Sequence, residues 1–193
     1  MKNLLFFSNN KNKISEVKKL FKDSGITLYS LEDFKKIKEP KETGNTFVEN
    51  AKIKSLCGYN FFKMPCFADD SGICINVLND KPGVKSKRFF SKFLNKKNAF
   101  NYILNRTKES KNKIAYFKTS ICLTLNESEH IIFEGRINGT IADFPLGKNG
   151  FGYDSIFIPN GQTKTYGQMT QKQKNTLSHR SVAINKLLGF VVI

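Results

Sequence analysis

The sequence predicts an α/β fold with a mixed β-sheet. Three observations predict it. Short apolar runs alternate with segments of helical period, one long hairpin interrupts that alternation in mid-chain, and no repeat, low-complexity tract or Pro/Ser-rich linker divides the 193 residues.

Asn3 to Ser8 (NLLFFS) is a short apolar run that reads as a buried strand. Ile14, Val17, Leu20 and Phe21 then recur at helical spacing through Asn12 to Asp23, and Gly25 stops the helix. Thr46 to Phe61 reads as a second helix, with Thr46 and Glu49 in the capping-box pattern. Cys66 to Leu78 (CFADDSGICINVL) reads as two short strands around a polar turn, and Lys97 to Asn105 as a helix. Two long strands follow, Lys113 to Leu125 and His130 to Ile141, joined by a turn at Asn126 to Glu129. Asp143 to Tyr153 is loop, Ile156 to Ile158 a strand, and Ser178 to Leu188 the closing helix.

Composition narrows the function classes. With 39% hydrophobic and 25% charged residues the chain can pack a core. No stretch approaches the ~20 apolar residues of a membrane span, and the opening LLFF is too short for a signal-peptide core. The expectation is a cytoplasmic protein with no membrane partner. Cys57, Cys66, Cys74 and Cys122 lack CxxC spacing and read as reduced core residues. The net charge of +16 invites a nucleic-acid reading, but 28 of the 32 basic residues are lysines scattered along the chain. Nucleic-acid readers cluster charge and favour Arg, so no specific nucleic-acid partner is expected. What survives is a field that attracts polyanions, nucleoside triphosphates included.

Polar residues crowd four junctions between elements, Ser8 to Lys13, Glu42 to Lys54, Asp69 to Ser71, and Gly150 to Asp154 with Lys174 to Arg180, where a scaffold presents side chains and free backbone groups. Ser8 to Lys13 (SNNKNK) joins a strand to a helix, where N–H groups and the dipole favour a phosphate; an ordinary N-cap by Asn10 or Asn12 fits it equally. Ala68 to Gly72 (ADDSG) sets two carboxylates side by side. They suit Mg²⁺ and a hydrolytic water, or else form a solvated Asx turn. Phe151 to Asp154 (FGYD) offers an aromatic face and an acidic acceptor to a flat heterocycle, or begins a strand with Phe and Tyr in the core. His179 and Arg180 fall in the first turn of the last helix, with Ser178 as N-cap. Cations there oppose the dipole unless something, such as a ligand oxygen, offsets them, and His179 also fits as a buried structural histidine.

Together these blocks resemble the inosine triphosphate pyrophosphatase family, which hydrolyses the deaminated-purine triphosphates dITP, ITP and XTP to monophosphate and pyrophosphate. The matching stretches are SNNKNKISEVKKL, ETGNTFVENAKIK, ADDSGI, PGVKSKRF, GTIADFPLGKNGFGYDSIF and KTYGQMTQKQKNTLSHR, in the family's order from Ser8 to Arg180. The resemblance implies an elongated, two-lobed single domain over residues 1–193 around a long mixed, twisted β-sheet with flanking helices, an active cleft between the lobes, and a homodimer. It implies that Ser8, Asn9, Asn10, Lys11, Asn12 and Lys13 hold the triphosphate. Glu42 and Asp70 would bind Mg²⁺, with Mn²⁺ as the alternative ion, and Asp70 would also be the catalytic base. Lys54 and Ser71 would contact substrate. Phe151, Gly152, Tyr153, Asp154, Lys174, His179 and Arg180 would form the purine pocket, His179 and Arg180 donating to the 6-oxo group that adenine lacks. Three positions depart from the family pattern: Gln168 stands where a carboxylate is usual, Leu146 where many members have Arg, and Lys85 where Tyr is common.

Overall fold

The structure is a computed structural model and describes residues 2–34 and 37–192. Its strands are β1 (Asn3–Phe6), β2 (Thr27–Ser30), β3 (Cys66–Ile75), β4 (Lys81–Pro82), β5 (Ile114–Thr124), β6 (His130–Ile141) and β7 (Phe157–Pro159). The helices are α1 (Lys11–Phe21), α2 (Phe47–Phe62), α3 (Ser86–Phe89), α4 (Lys96–Ser110), α5 (Gln171–Leu177) and α6 (His179–Val191). The strands form one sheet in the order β2-β1-β3-β5-β6-β7, with β4 also on β3. β1 runs parallel to β2 and β3, whereas β4 is antiparallel to β3 and β7 to β6, so the sheet is mixed as expected.

The chain divides into two compact units. One holds Met1–Asp70, Thr119–Gly135 and Arg180–Ile193; the other holds Ser71–Lys118 and Arg136–His179. In the first, β1 is buried on both faces, which is why NLLFF reads as a continuous apolar run. Leu4 and Phe6 pack with Ile14, Val17 and Phe21 of α1 and with Ala183, Ile184 and Leu187 of α6. Leu5 and Phe7 pack with Leu31, Cys66 and Ala68, backed by Cys57 and Phe62 of α2. Helix α2 buries Phe47, Asn50, Ala51, Lys54, Ser55 and Gly58, a helical stripe in which Asn50, Lys54 and Ser55 are polar. The second unit has an aromatic core in which Phe117, Tyr153, Phe157 and Tyr166 join Ile73, Ile75, Ile103 and Ile141.

The structure corrects the reading of Cys66 to Leu78. There is no turn at ADDSG: β3 runs unbroken from Cys66 to Ile75, and only Asn76–Leu78 is a short 3-10 turn. The polar residues keep the strand because their side chains find buried partners, so tertiary contacts override local propensity. Gly72 serves close approach, since a Cβ there would lie 2.2 Å from the Gly83 carbonyl oxygen. Helix α4 runs on to Ser110 and stops at Lys111, whose φ of 55° is left-handed. At α2, Thr46 caps Glu49 N–H as expected, but the Glu49 carboxylate accepts from Asn45 N–H, one residue outside the box. Sequence reading missed β2, β4, α3 and α5. All four cysteines are free thiols. Among the described residues no helix is long and apolar enough to cross a membrane.

Candidate active site

In the first unit the site grows from the register of β3. Pairing Leu5 with Cys66 and Phe6 with Phe67 sets Asp69 and Asp70 just beyond the carboxyl end of β1, where the chain turns into α1. Successive strand residues point to opposite faces. Asp69 therefore shares a face with Phe67, the side of α1 and α6, and Asp70 shares one with Ala68, the side of α2. The two carboxylates do not crowd each other; each has its own set of partners.

On the α1/α6 side, Asp69 Oδ1 accepts from Lys13 Nζ at 3.0 Å and Oδ2 from Arg180 Nε at 3.2 Å. Arg180 Nη1 also donates to the buried carboxylate of Glu16. On the α2 side, Asp70 Oδ2 accepts from Asn50 Nδ2 at 3.1 Å, and Oδ1 lies 3.9 Å from Lys54 Nζ. Lys54 Nζ donates to Glu42 Oε1 at 2.7 Å and to the Asp69 backbone carbonyl at 2.6 Å. Burial pulls Lys54 toward its neutral form, yet Asp70, Asp69 and Glu42 outweigh burial and hold its pKa above the ordinary value. Burial raises the Asp70 carboxyl, with Lys54 and Lys13 opposing. Burial lowers Lys13, with Asp69 opposing.

The loop Ser8 to Lys13 takes the N-cap form. Asn10 Oδ1 accepts from Asn12 and Lys13 N–H at 3.1 and 3.2 Å, and Ser8 Oγ accepts from Asn10 N–H. Asn9 is exposed and bonds Glu39 and the Ile37 carbonyl; Lys11 and Asn12 are exposed.

The second unit gathers a separate group. Asp154 Oδ2 accepts from Lys174 Nζ at 2.6 Å and from Phe151 N–H at 2.7 Å. Lys174 Nζ sits 4.8 Å from the centre of the Phe151 ring and 5.6 Å from that of Tyr166, so a carboxylate and two π-faces surround one ammonium. Gly150 makes room, because a Cβ there would lie 2.0 Å from Asp154 Oδ2. Helix α5 positions Lys174 through a full capping box between Thr170 and Gln173. Gly152 and Ser71 are half-buried.

The fold is matched by known proteins. The Ham1 family profile matches residues 4–190. The chain belongs to the Ham1 family. A dITP/XTP pyrophosphatase of Leptospira interrogans is 40% identical over 186 residues, spanning 95% of this chain and 94% of that protein. A HAM1 protein from Coxiella burnetii has the same fold, with a TM-score of 0.88 and 34% identity over 99% of this chain and 98% of that one. A nucleoside-triphosphatase, or dITP/XTP pyrophosphatase, of Mycobacterium abscessus gives a TM-score of 0.74 and 36% identity over 96% of this chain and 98% of that one.

Within this Ham1 chain, Lys13, Glu42, Lys54, Asp70 and Arg180 come together in one unit, and Phe151, Asp154 and Lys174 in the other. Two residues expected in the purine pocket are built into the core. The Tyr153 ring stacks on Phe90 at 4.6 Å and its hydroxyl donates to the Ser86 carbonyl, while His179 stacks on Phe117 at 4.6 Å. The cation in the first turn of α6 is offset by Glu16 and Asp69, so Arg180 needs no ligand oxygen for that purpose. Glu16 and Asn50 were not singled out from the sequence, and Asp69 only as one of the two ADDSG carboxylates. The 20-residue separation of Asn50 from Asp70 leaves no local pattern; buried polar positions on amphipathic helices were the available signal.

The donor set fits a divalent cation. Among the described residues no three His, Cys, Asp or Glu side chains form a metal cluster, but Mg²⁺ takes one or two carboxylates and fills its other positions with water and substrate phosphate. Glu42 and Asp70 both face Lys54 Nζ, so they already converge on one cation. In the network as a whole, Glu16, Glu42, Asp69 and Asp70 outnumber Lys13, Lys54 and Arg180 by one charge.

Proposed function

We propose that this protein hydrolyses deaminated-purine nucleoside triphosphates, dITP, ITP and XTP, to the monophosphate and pyrophosphate. The observation that carries the reading is Asp70: a buried carboxylate fixed by Asn50 and flanked by Lys54, in a chain whose close relatives bear the name dITP/XTP pyrophosphatase. Asp70 takes the proton from the attacking water. Burial holds its pKa above that of an exposed carboxylate, the direction that strengthens a base. Attack at the α-phosphorus breaks its bond to the bridging oxygen, and pyrophosphate leaves with that electron pair.

Lys13 and Lys54 balance the triphosphate charge, with the loop Ser8 to Lys13 beside it. Glu42 and Asp70 would hold Mg²⁺, which when bound neutralises phosphate charge and polarises the water. Phe151 supplies a face for the purine ring, and Asp154 with Lys174 an acceptor and a donor at its edge. A 6-oxo purine accepts from a fixed donor, whereas the 6-amino group of adenine leaves that donor unpaired, which can give discrimination of about 10⁴. The reading also takes the protein to be a cytoplasmic homodimer.

The test is a pyrophosphate-release assay over ITP, XTP, GTP, ATP and dUTP, with and without Mg²⁺. ITP and XTP should be cleaved far faster than the others, and only with the metal. Equal rates on all five, or orthophosphate as the sole product, would overturn the reading.

A further inference from the structure

We propose that Glu16 is a positioning residue for the phosphate-binding lysine Lys13, acting on it through Arg180 and Asp69. The inference rests on the reading of Lys13 as a triphosphate ligand.

Glu16 lies on α1, three residues after Lys13, on a face otherwise made of Ile14, Val17 and Phe21. Its carboxylate is 5% exposed, and burying a carboxylate in an apolar face is costly unless a cation meets it. That cation is Arg180 of α6, whose side chain is 2% exposed. From Arg180 the chain of contacts leads outward. Its Nε donates to Asp69 Oδ2, and the other oxygen of Asp69 accepts from Lys13 Nζ, which also lies 3.5 Å from the Asp69 carbonyl oxygen. The path thus leaves α1 at Glu16, passes through α6 and β3, and returns to α1 at Lys13. A carboxylate shared by a guanidinium and an ammonium is set in place by the balance of the two pulls. Glu16 draws the guanidinium to its own side and so fixes how strongly Arg180 competes for Asp69. Without that charge Arg180 is drawn further onto Asp69, and Lys13 loses the anchor that aims its ammonium.

A merely structural ion pair predicts something else: lower stability, with the folded protein binding phosphate normally. The discriminating measurement is calorimetric binding of inorganic tripolyphosphate, without metal, to wild type, E16Q, E16D, K13M and E16Q/K13M, alongside thermal unfolding of each. E16Q should weaken binding about 10-fold or more, the scale seen when an outer partner of a functional group is removed. E16D, which keeps the charge on a shorter arm, should lose less. In the K13M background the Glu16 substitution should change binding no further. Wild-type binding by E16Q or by K13M would overturn the proposal, as would losses from E16Q and K13M that multiply in the double variant. If E16Q yields no folded protein, E16D and E16D/K13M carry the same comparison. Failure of the wild-type enzyme to release pyrophosphate from ITP would remove the proposed function, while the tripolyphosphate comparison would still decide the role of Glu16.

Discussion

Lys54 gathers the Glu42 carboxylate, the Asp69 carbonyl and Asp70 around one buried ammonium, and Arg180 does the same for Glu16 and Asp69. Residues in such networks fail in different ways. Asp70→Asn removes the proposed base but keeps a side chain of the same shape, so turnover of ITP should fall to background while circular dichroism and melting temperature stay near wild type. Turnover near wild type would take Asp70 out of the mechanism. Arg180→Ala leaves Glu16 and Asp69 buried without their guanidinium. Breaking a buried pair this way costs about 3–5 kcal/mol, so denaturant unfolding should show a large loss of stability in addition to any change in purine preference. The ADDSG and ETGNTF blocks made Asp70, Glu42 and Lys54 legible in the sequence. The partnership of Asp69 with Arg180 was not, because 111 residues separate the two and no spacing rule reaches that far.

Among the elements, β3 shows where local reading stops. An Asp-Asp-Ser-Gly run has turn propensity, and only the pairing with β1 and the helices on both faces make it strand. Helix α1 and the hairpin of β5 and β6 were legible from their apolar periods, and α2 from the Thr46–Glu49 capping pattern at its start. Gly72 belongs to this scale. Its substitution by Ala forces the Cβ against the Gly83 carbonyl oxygen and Ser86 Oγ, and Ser86 in turn accepts from Ile73 N–H. Overpacking of this kind costs about 1–3 kcal/mol, readable as a lowered denaturation midpoint for Gly72→Ala. The turn after β2 carries a pH-dependent contribution. The Ser30 backbone N–H donates to Asp33 Oδ2 at 2.7 Å, and its hydroxyl at 2.9 Å, holding the Asp33 carboxyl below its ordinary 3.8. This stabilisation is present above the unfolded value and is lost as pH falls through the lowered folded one. Asp33 is 42% exposed, so the effect is small. Asp33→Asn should lower the melting temperature slightly at neutral pH, and the gap should close as the pH falls through the lowered folded value.

For the whole molecule, the charge of +16 acts as a long-range field. Salt screens it over about 10 Å at 0.1 M, so KM for a nucleoside triphosphate should rise with ionic strength while kcat changes little. A KM independent of salt would confine electrostatics to the buried lysines. At this scale the mixed sheet and the family were legible, since alternating periods and the order of the blocks survive the lysine-rich drift of the surface. The use made of three departures was not. Gln168 keeps the acceptor that a carboxylate would offer, taking the Thr165 N–H at 3.0 Å, and Leu146 enters the same corner through its backbone carbonyl. Lys85 ends a short 3-10 turn, exposed to solvent.

The placing of Asp69 and Asp70 on opposite sides of one strand has a last consequence. Removing or adding a single residue just upstream, without touching either aspartate, would turn both over. The arginine's partner would then face the lysine of α2, and the proposed base would face the wrong helix. This stretch can tolerate exchange of side chains, but its count of residues is fixed.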